Sequence, residues 1–250
     1  MPARARIVVP CFNEARRLDA EAFVAFATAH PDVALLFVDD GSTDSTATML
    51  NGLEARTTGI TALLLTGHVG KAAAVRLGVL AAAQEGAEFV GFWDADLSTP
   101  LSAICEFVEM LSANPRLDIV MGARVKLLGR DVRRRLFRHY AGRVFATAAS
   151  LALGLAVYDT QCGAKLFRVT EPTSAAFRTP FQSAWIFDVE ILARYIAAVG
   201  QDDARSRICE IPLHTWTDVP GSKLRLRDGI RAAWDLAKIA RAQTRASGAR

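Results

Sequence analysis

Residues 89–96 read FVGFWDAD. Apolar residues run from Phe89 to Trp93, with Gly91 among them, and stop at Asp94-Ala95-Asp96. A short apolar run with no polar alternation fits a strand buried on both faces, as in a parallel sheet covered by helices. Similar runs stand at Ile7–Cys11, Ala34–Val38, Ile60–Leu65 and Ile119–Met121. Between them Ala15–Ala29, Ser45–Glu54, Lys71–Gln84 and Leu101–Ala113 have helical spacing. Strand–helix alternation of this kind predicts an α/β fold: a mostly parallel central sheet with helices on both faces.

In such sheets ligands bind beyond the carboxyl ends of the strands. The polar clusters there are PCFNE (10–14), DDGSTDST (39–46), TGHVGKAA (66–73), DADLSTP (94–100) and GAR (122–124). Each follows a predicted strand, so the fold brings them to one edge.

The second half reads differently. Gly129–Val157 is a long helical stretch with Arg130, Arg133, Arg134, Arg135, Arg138 and Arg143 near its start. A strand at Ala164–Val169, a helix over Asp188–Val199, a strand at Ile208–His214, a loop over 216–223 and a basic helix from about Arg227 follow. The expectation is one domain over 1–240, with amphipathic helices at 127–157 and a frayed tail at 241–250.

The chain has 250 residues, 51% of them hydrophobic, which suits one sizeable domain. A formal charge of +4 is mild for a nucleic-acid binder but suits a phosphate-bearing partner. Cys11, Cys105, Cys162 and Cys209 are far apart, which argues against a zinc site and for a reduced cytoplasm. The apolar run Val144–Val157 is shorter than the roughly 20 residues of a spanning helix. A strand-like run begins at Ile7, leaving no room for a signal peptide. The expectation is a cytoplasmic protein, peripheral on the cytoplasmic face of a membrane.

Asp94 and Asp96 can share one hard divalent ion, since residues i and i+2 of an extended chain point the same way. A helix cap or turn explains the same two acids equally well. Asp44 or Thr43 can cap the helix that follows them. Asp39 and Asp40 remain, able to accept hydrogen bonds from a base or ribose, with Asp40 read as facing the ligand. Lys71 lies in GHVGKAA, which lacks the GxxxxGK[ST] spacing of a P-loop. A lysine at a helix start still suits an anion. The absence of GxGxxG counts against a dinucleotide oxidoreductase. The arginine-rich stretch reads as a solvated helix face or, preferably, a helix lying on an anionic surface, because Leu136, Phe137, Tyr140 and Val144 are interleaved with it.

The order PCFNE, VDDGSTDST, HVGKAAAVR, DADLSTP, GAR resembles glycosyltransferase family 2, whose members have a GT-A fold. The segments RHYAGRVFATAASLALGLAVYDTQCGAKLF, WIFDVEIL and WTDVPGSKL resemble its dolichyl-phosphate β-glucosyltransferase and polyprenyl-phosphate branch. The likeness runs from Ile7 to about Trp234. It implies a nucleotide-diphosphate-sugar donor, inversion at the anomeric carbon, and Mg²⁺ or Mn²⁺ held by Asp94 and Asp96. It places Pro10, Glu14, Asp39, Asp40, Lys71 and Ala95 beside the donor, with Gln161 and Lys165 shaping its pocket. Arg124, Arg138 and Lys223 match positions near an acceptor phosphate. Asp188 matches an acceptor-side acid; it is a base only for a hydroxyl acceptor, and a helix N-terminal acid otherwise. Catalysis is thereby assigned to Asp94, Asp96, Arg124 and Asp188. His68 and Ala72 stand where relatives often have Asn and Gly, and Ala164 where they have Phe or Tyr.

The leading expectation is transfer of glucose from UDP-glucose to a polyprenyl or dolichyl phosphate at a membrane surface, with no nucleic acid involved. The alternatives are a hydroxyl acceptor, GDP-mannose as donor, or a non-catalytic nucleotide-sugar binder.

Overall fold

Ile7 and Val9 bury themselves on one side of a sheet and Val8 on the other. The same alternation splits Leu35 and Phe37 from Leu36 and Val38, and Phe89 and Trp93 from Val90 and Phe92. Two cores result, one per face, and each is closed by helices. The structure is a computed structural model describing residues 3–133, 136–218 and 231–241; for 133, 136–139 and 141 it describes the backbone alone.

In chain order the elements are β1 (Ala5–Cys11), α1 (Ala20–Ala29), β2 (Val33–Asp39), α2 (Thr46–Arg56), β3 (Ile60–Leu64), α3 (Lys71–Gln84), β4 (Phe89–Trp93), α4 (Ser102–Ala113) and β5 (Ile119–Ala123). Then come β6 (Asp131–Arg133), α5 (Leu136–Leu153), β7 (Ala164–Arg168), α6 (Glu171–Arg178), α7 (Phe187–Val199), α8 (Gln201–Arg207), β8 (Ile208–Pro212) and β9 (Thr215–Thr217). Residues 231–241 are helical. The main sheet has seven strands in the order β3-β2-β1-β4-β7-β5-β8. All neighbours are parallel except β7, which runs antiparallel to both β4 and β5. The mostly parallel α/β sheet is therefore as expected.

Four local expectations need correction. The helical stretch over Gly129–Val157 is broken by β6, because Val132 buries its side chain and the strand pairs in parallel with β9. That pairing also makes Thr215–Thr217 a strand where a loop was expected from 216. The first helix starts at Ala20 rather than Ala15, since Asp19 accepts the Ala22 N–H at 3.1 Å and caps it there. β3 is not buried on both faces: it is an edge strand with Leu64 exposed. Of the expected C-terminal helix, 227–230 lie outside the described residues.

Two buried polar contacts tie the second half together. Asp118 accepts the Tyr195 hydroxyl at 2.6 Å, while its backbone bonds Arg207 and Arg168 on either side. Ser183 donates to Asp235 at 2.8 Å, joining the segment before α7 to the helix at 231–241. Among the described residues no helix is long and apolar enough to cross a membrane. Tyr195→Phe leaves the buried Asp118 carboxylate with only the longer 3.5 Å Arg207 contact, and hydrogen bonds to charged groups are worth about 1.5–3 kcal/mol. The urea midpoint is expected to fall accordingly with an unchanged slope.

Candidate active site

Lys165 sits on β7 with no exposed surface. A buried ammonium must find partners. It donates to the Cys162 carbonyl at 2.6 Å and to Asp188 Oδ1 at 2.6 Å, and lies 5.3 Å from the centre of the Phe92 ring. One cation thus holds the turn before β7 and the first turn of α7.

The same turn is held at two further points. Glu210 on β8 accepts the N–H groups of Tyr158 at 2.7 Å and Asp159 at 2.8 Å. Asp159 in turn receives Arg124 through Nε at 2.6 Å, Nη2 at 2.7 Å and the backbone N–H at 3.1 Å. The Arg124 guanidinium also lies over Trp216, 5.3 Å from its centre. Burial alone would lower the Arg124 pKa; Asp159 more than offsets it, so the guanidinium stays firmly charged.

This strapped turn delivers Gly163 against Asp94. A Cβ at Gly163 would stand 1.9 Å from Asp94 Oδ2, so only glycine leaves the carboxylate in place. Asp94 Oδ1 receives Lys71 Nζ at 2.5 Å. Partial desolvation would lower the Lys71 pKa, but Asp94, Asp188 and Asp96 outweigh it and raise it. All three acids are therefore within electrostatic reach of Lys71. Asp94 and Asp96 lie on a turn, not on an extended strand, since β4 stops at Trp93. The turn continues through Leu97 at φ 54°, a left-handed conformation that costs a branched residue about 1–2 kcal/mol. Asp96 Oδ1 accepts the Ser98 N–H at 3.0 Å.

On the β1–β2 side, Glu14 is buried and grips Arg17 through Nε at 2.9 Å and Nη2 at 2.5 Å. The hydrogen bonds to Glu14 raise the Arg17 pKa, and Asp96 adds to the rise. Asp39 accepts from Ser42, backbone at 3.2 Å and hydroxyl at 2.5 Å. Asp44 accepts the Thr46 backbone at 3.0 Å and hydroxyl at 2.5 Å, but the N-cap position itself is Ser45, so neither Asp44 nor Thr43 is the cap expected of them. The expectation that Asp40 faces a ligand meets a carboxylate already satisfied from within: it is buried and accepts the N–H groups of Val69 at 2.7 Å and Gly70 at 2.9 Å.

Pro10 and Ala95 sit at the ends of β1 and β4, Pro10 half-buried and Ala95 buried; Gln161 is half-buried in the strapped turn. Lys223 lies outside the described residues, as does the side chain of Arg138. Asp159, Glu210, Arg17, Trp216 and Gly163 were not singled out from sequence. Asp159 and Gly163 stand within the quoted DTQCG and Trp216 opens the quoted WTDVPGSKL; Glu210 becomes visible only when β8 is placed. Burial pushes the Cys162 thiol up to about 11 despite the pull of Arg124, so it packs as a neutral group and is no nucleophile.

A model of Glycosyl transferase family 2 matches residues 6–171. The chain belongs to glycosyltransferase family 2. It is 29% identical over 245 residues to a dolichyl-phosphate beta-glucosyltransferase of Trichomonas vaginalis, covering 93% of this chain and 69% of the relative. It is 30% identical over 249 residues to the Dictyostelium discoideum enzyme of the same name, covering 93% and 72%. Glucosyl-3-phosphoglycerate synthase from Mycobacterium tuberculosis, crystallised with Mn²⁺ and UDP-glucose, superposes with a TM-score of 0.67 at 17% identity, over 96% of this chain and 78% of that one. That likeness shows the GT-A fold.

In this family 2 glycosyltransferase the residues present suit a divalent ion. Asp94, Asp96 and Asp188 outnumber Lys71 and Lys165, with Arg124 already neutralised by Asp159. Among the described residues no three His, Cys, Asp or Glu side chains form a cage. An ion held by one or two carboxylates and a substrate diphosphate needs none. Gly163→Ala is expected to leave the melting temperature nearly unchanged while glycosyl transfer drops by about 10²-fold, the scale of a 1 Å misplacement. Asp188→Asn removes the counter-charge of a buried ammonium and is expected to lower stability by about 3–5 kcal/mol in a denaturant titration. Its activity is therefore to be read beside its stability.

Proposed function

We propose that this glycosyltransferase moves glucose from UDP-glucose to a polyprenyl phosphate, with inversion and with a divalent ion. The observation that carries the reading is the Lys71–Asp94 contact at the end of β4, with Asp96 and Asp188 in reach, in a chain whose relatives are named dolichyl-phosphate beta-glucosyltransferases. Asp94 and Asp96 hold the ion, Mg²⁺ or Mn²⁺. When bound, it supplies positive charge to the diphosphate leaving group. Lys71 adds a second cation on the same side, at the start of α3 where backbone N–H groups also favour an anion.

A phosphate acceptor is already ionised at neutral pH and needs no strong base. The Lys165–Asp188 pair supports this choice, because Asp188 is buried and its Oδ1 is already taken by the Lys165 ammonium. In this reading Asp188 positions, Arg124 braces the turn through Asp159, and Arg138 and Lys223 draw the acceptor phosphate in; guanidinium groups suit phosphate oxygens. Asp39 and Asp40 serve the donor by holding the turns around it.

The exposed face of α5 supports a lipid acceptor. Tyr140, Val144 and Leu151 are exposed at i, i+4 and i+11, a single stripe along the helix. Together with the arginines at 130–143 it makes an amphipathic element suited to an anionic membrane surface, which supports a peripheral position on the cytoplasmic face.

Incubation with labelled UDP-glucose, Mn²⁺ and a polyprenyl phosphate in vesicles is expected to yield a lipid-soluble product labile to mild acid. EDTA should stop its formation and added Mn²⁺ or Mg²⁺ restore it. Label appearing only in soluble or protein-bound form would overturn the lipid acceptor.

A further inference from the structure

His68 stands at the rim formed by the ends of β1, β2 and β3, three residues before Lys71. Its ring is stacked on Phe12 with centroids 4.0 Å apart and planes at 29°. Its Nδ1 lies 2.9 Å from Asp40 Oδ2. One ring face and one ring edge are therefore taken by the protein. The side chain is still 54% exposed, so the opposite face and the Nε2 edge look outward.

The backbone beneath the ring is fixed. Asp40 binds the N–H groups of Val69 and Gly70. Gly41, at φ 66°, touches the same loop from the other side: a Cβ there would stand 2.5 Å from the Gly67 carbonyl carbon and 2.7 Å from the His68 nitrogen. No other residue type lets the two backbones meet so closely. Asp40 has no free oxygen edge for a base, and the group it presents to the rim is the imidazole it holds.

The geometry points to His68 as the stacking platform for the nucleobase of the donor, with Phe12 backing it and Asp40 orienting it. A flat aromatic ring receives any base through its π-face. The outward Nε2 supplies one polar contact at the ring edge, while Nδ1–H donates to Asp40. His68 thus takes the base-facing position that the sequence alone assigns to Asp40. The inference rests on the nucleotide-donor reading and adds to it a residue that selects for the base.

The test compares two probes, UDP and inorganic pyrophosphate, each titrated with Mn²⁺ by calorimetry into the wild type, His68→Ala and His68→Phe. Loss of a base–aromatic stack weakens binding by about 5- to 150-fold. UDP affinity is expected to fall by about 10-fold or more in His68→Ala and to stay within about 3-fold in His68→Phe, which keeps a ring. Pyrophosphate affinity is expected to be the same in all three. Wild-type UDP affinity in His68→Ala overturns the inference and leaves the donor reading standing. Equal loss of UDP and pyrophosphate also overturns it, since it shows a loop that has merely collapsed. Wild-type protein that binds neither probe removes the donor reading and this inference together.

Discussion

A single buried ammonium organises the catalytic end of this glycosyltransferase. Lys165 has no access to water, so its charge is tolerable only while Asp188 and the Cys162 carbonyl stay within hydrogen-bond reach. That requirement fixes the approach of α7 to the sheet and the path of the chain from Tyr158 to Gly163. Glu210 and Arg124 secure the other end of the same path. Gly163 is the tip of this arrangement, and the place of Asp94 depends on it. The acid at the end of β4 is thus held by a strand that enters the sheet in the opposite direction.

The charges form a graded set. Arg124–Asp159 and Arg17–Glu14 are closed pairs that neutralise themselves. Lys165–Asp188 is closed and buried. Lys71–Asp94 is the open one, with about half of the lysine side chain in solvent. An exposed pair is worth little to stability, so rearranging it costs the fold little. The closed pairs brace the fold, and the open pair is the one that solvent reaches.

Much of this was legible in the sequence, and the reasons are local. β4 and α3 have the limits read from residues alone, because FVGFW ends abruptly at an acid and GK begins a clean helical period. The gathering of polar clusters at one edge followed from strand–helix alternation. What escaped was information that a hydrophobic pattern does not carry. The direction of β7 is invisible in AKLFR, since an apolar run reads the same both ways. β6 and β9 are three residues each, too short for any period, and α6 and α8 are about two turns each. Asp159 is 35 residues from Arg124, and no spacing rule joins them. Asp40 looked free because its partners, Val69 and Gly70, are backbone groups without a sequence signature.

The two margins of the main sheet differ in a way that bears on handling the protein. The β8 margin ends in Pro212, which has no N–H to offer, and carries the charged Glu210. The β3 margin, ITALL, has no charge, no proline and an exposed Leu64. Unblunted margins of that sort recruit strands from other chains. Should concentrated solutions of this enzyme turn cloudy or gel, intermolecular strand addition has its natural doorway at Ile60–Leu64, on the far side of the sheet from β8.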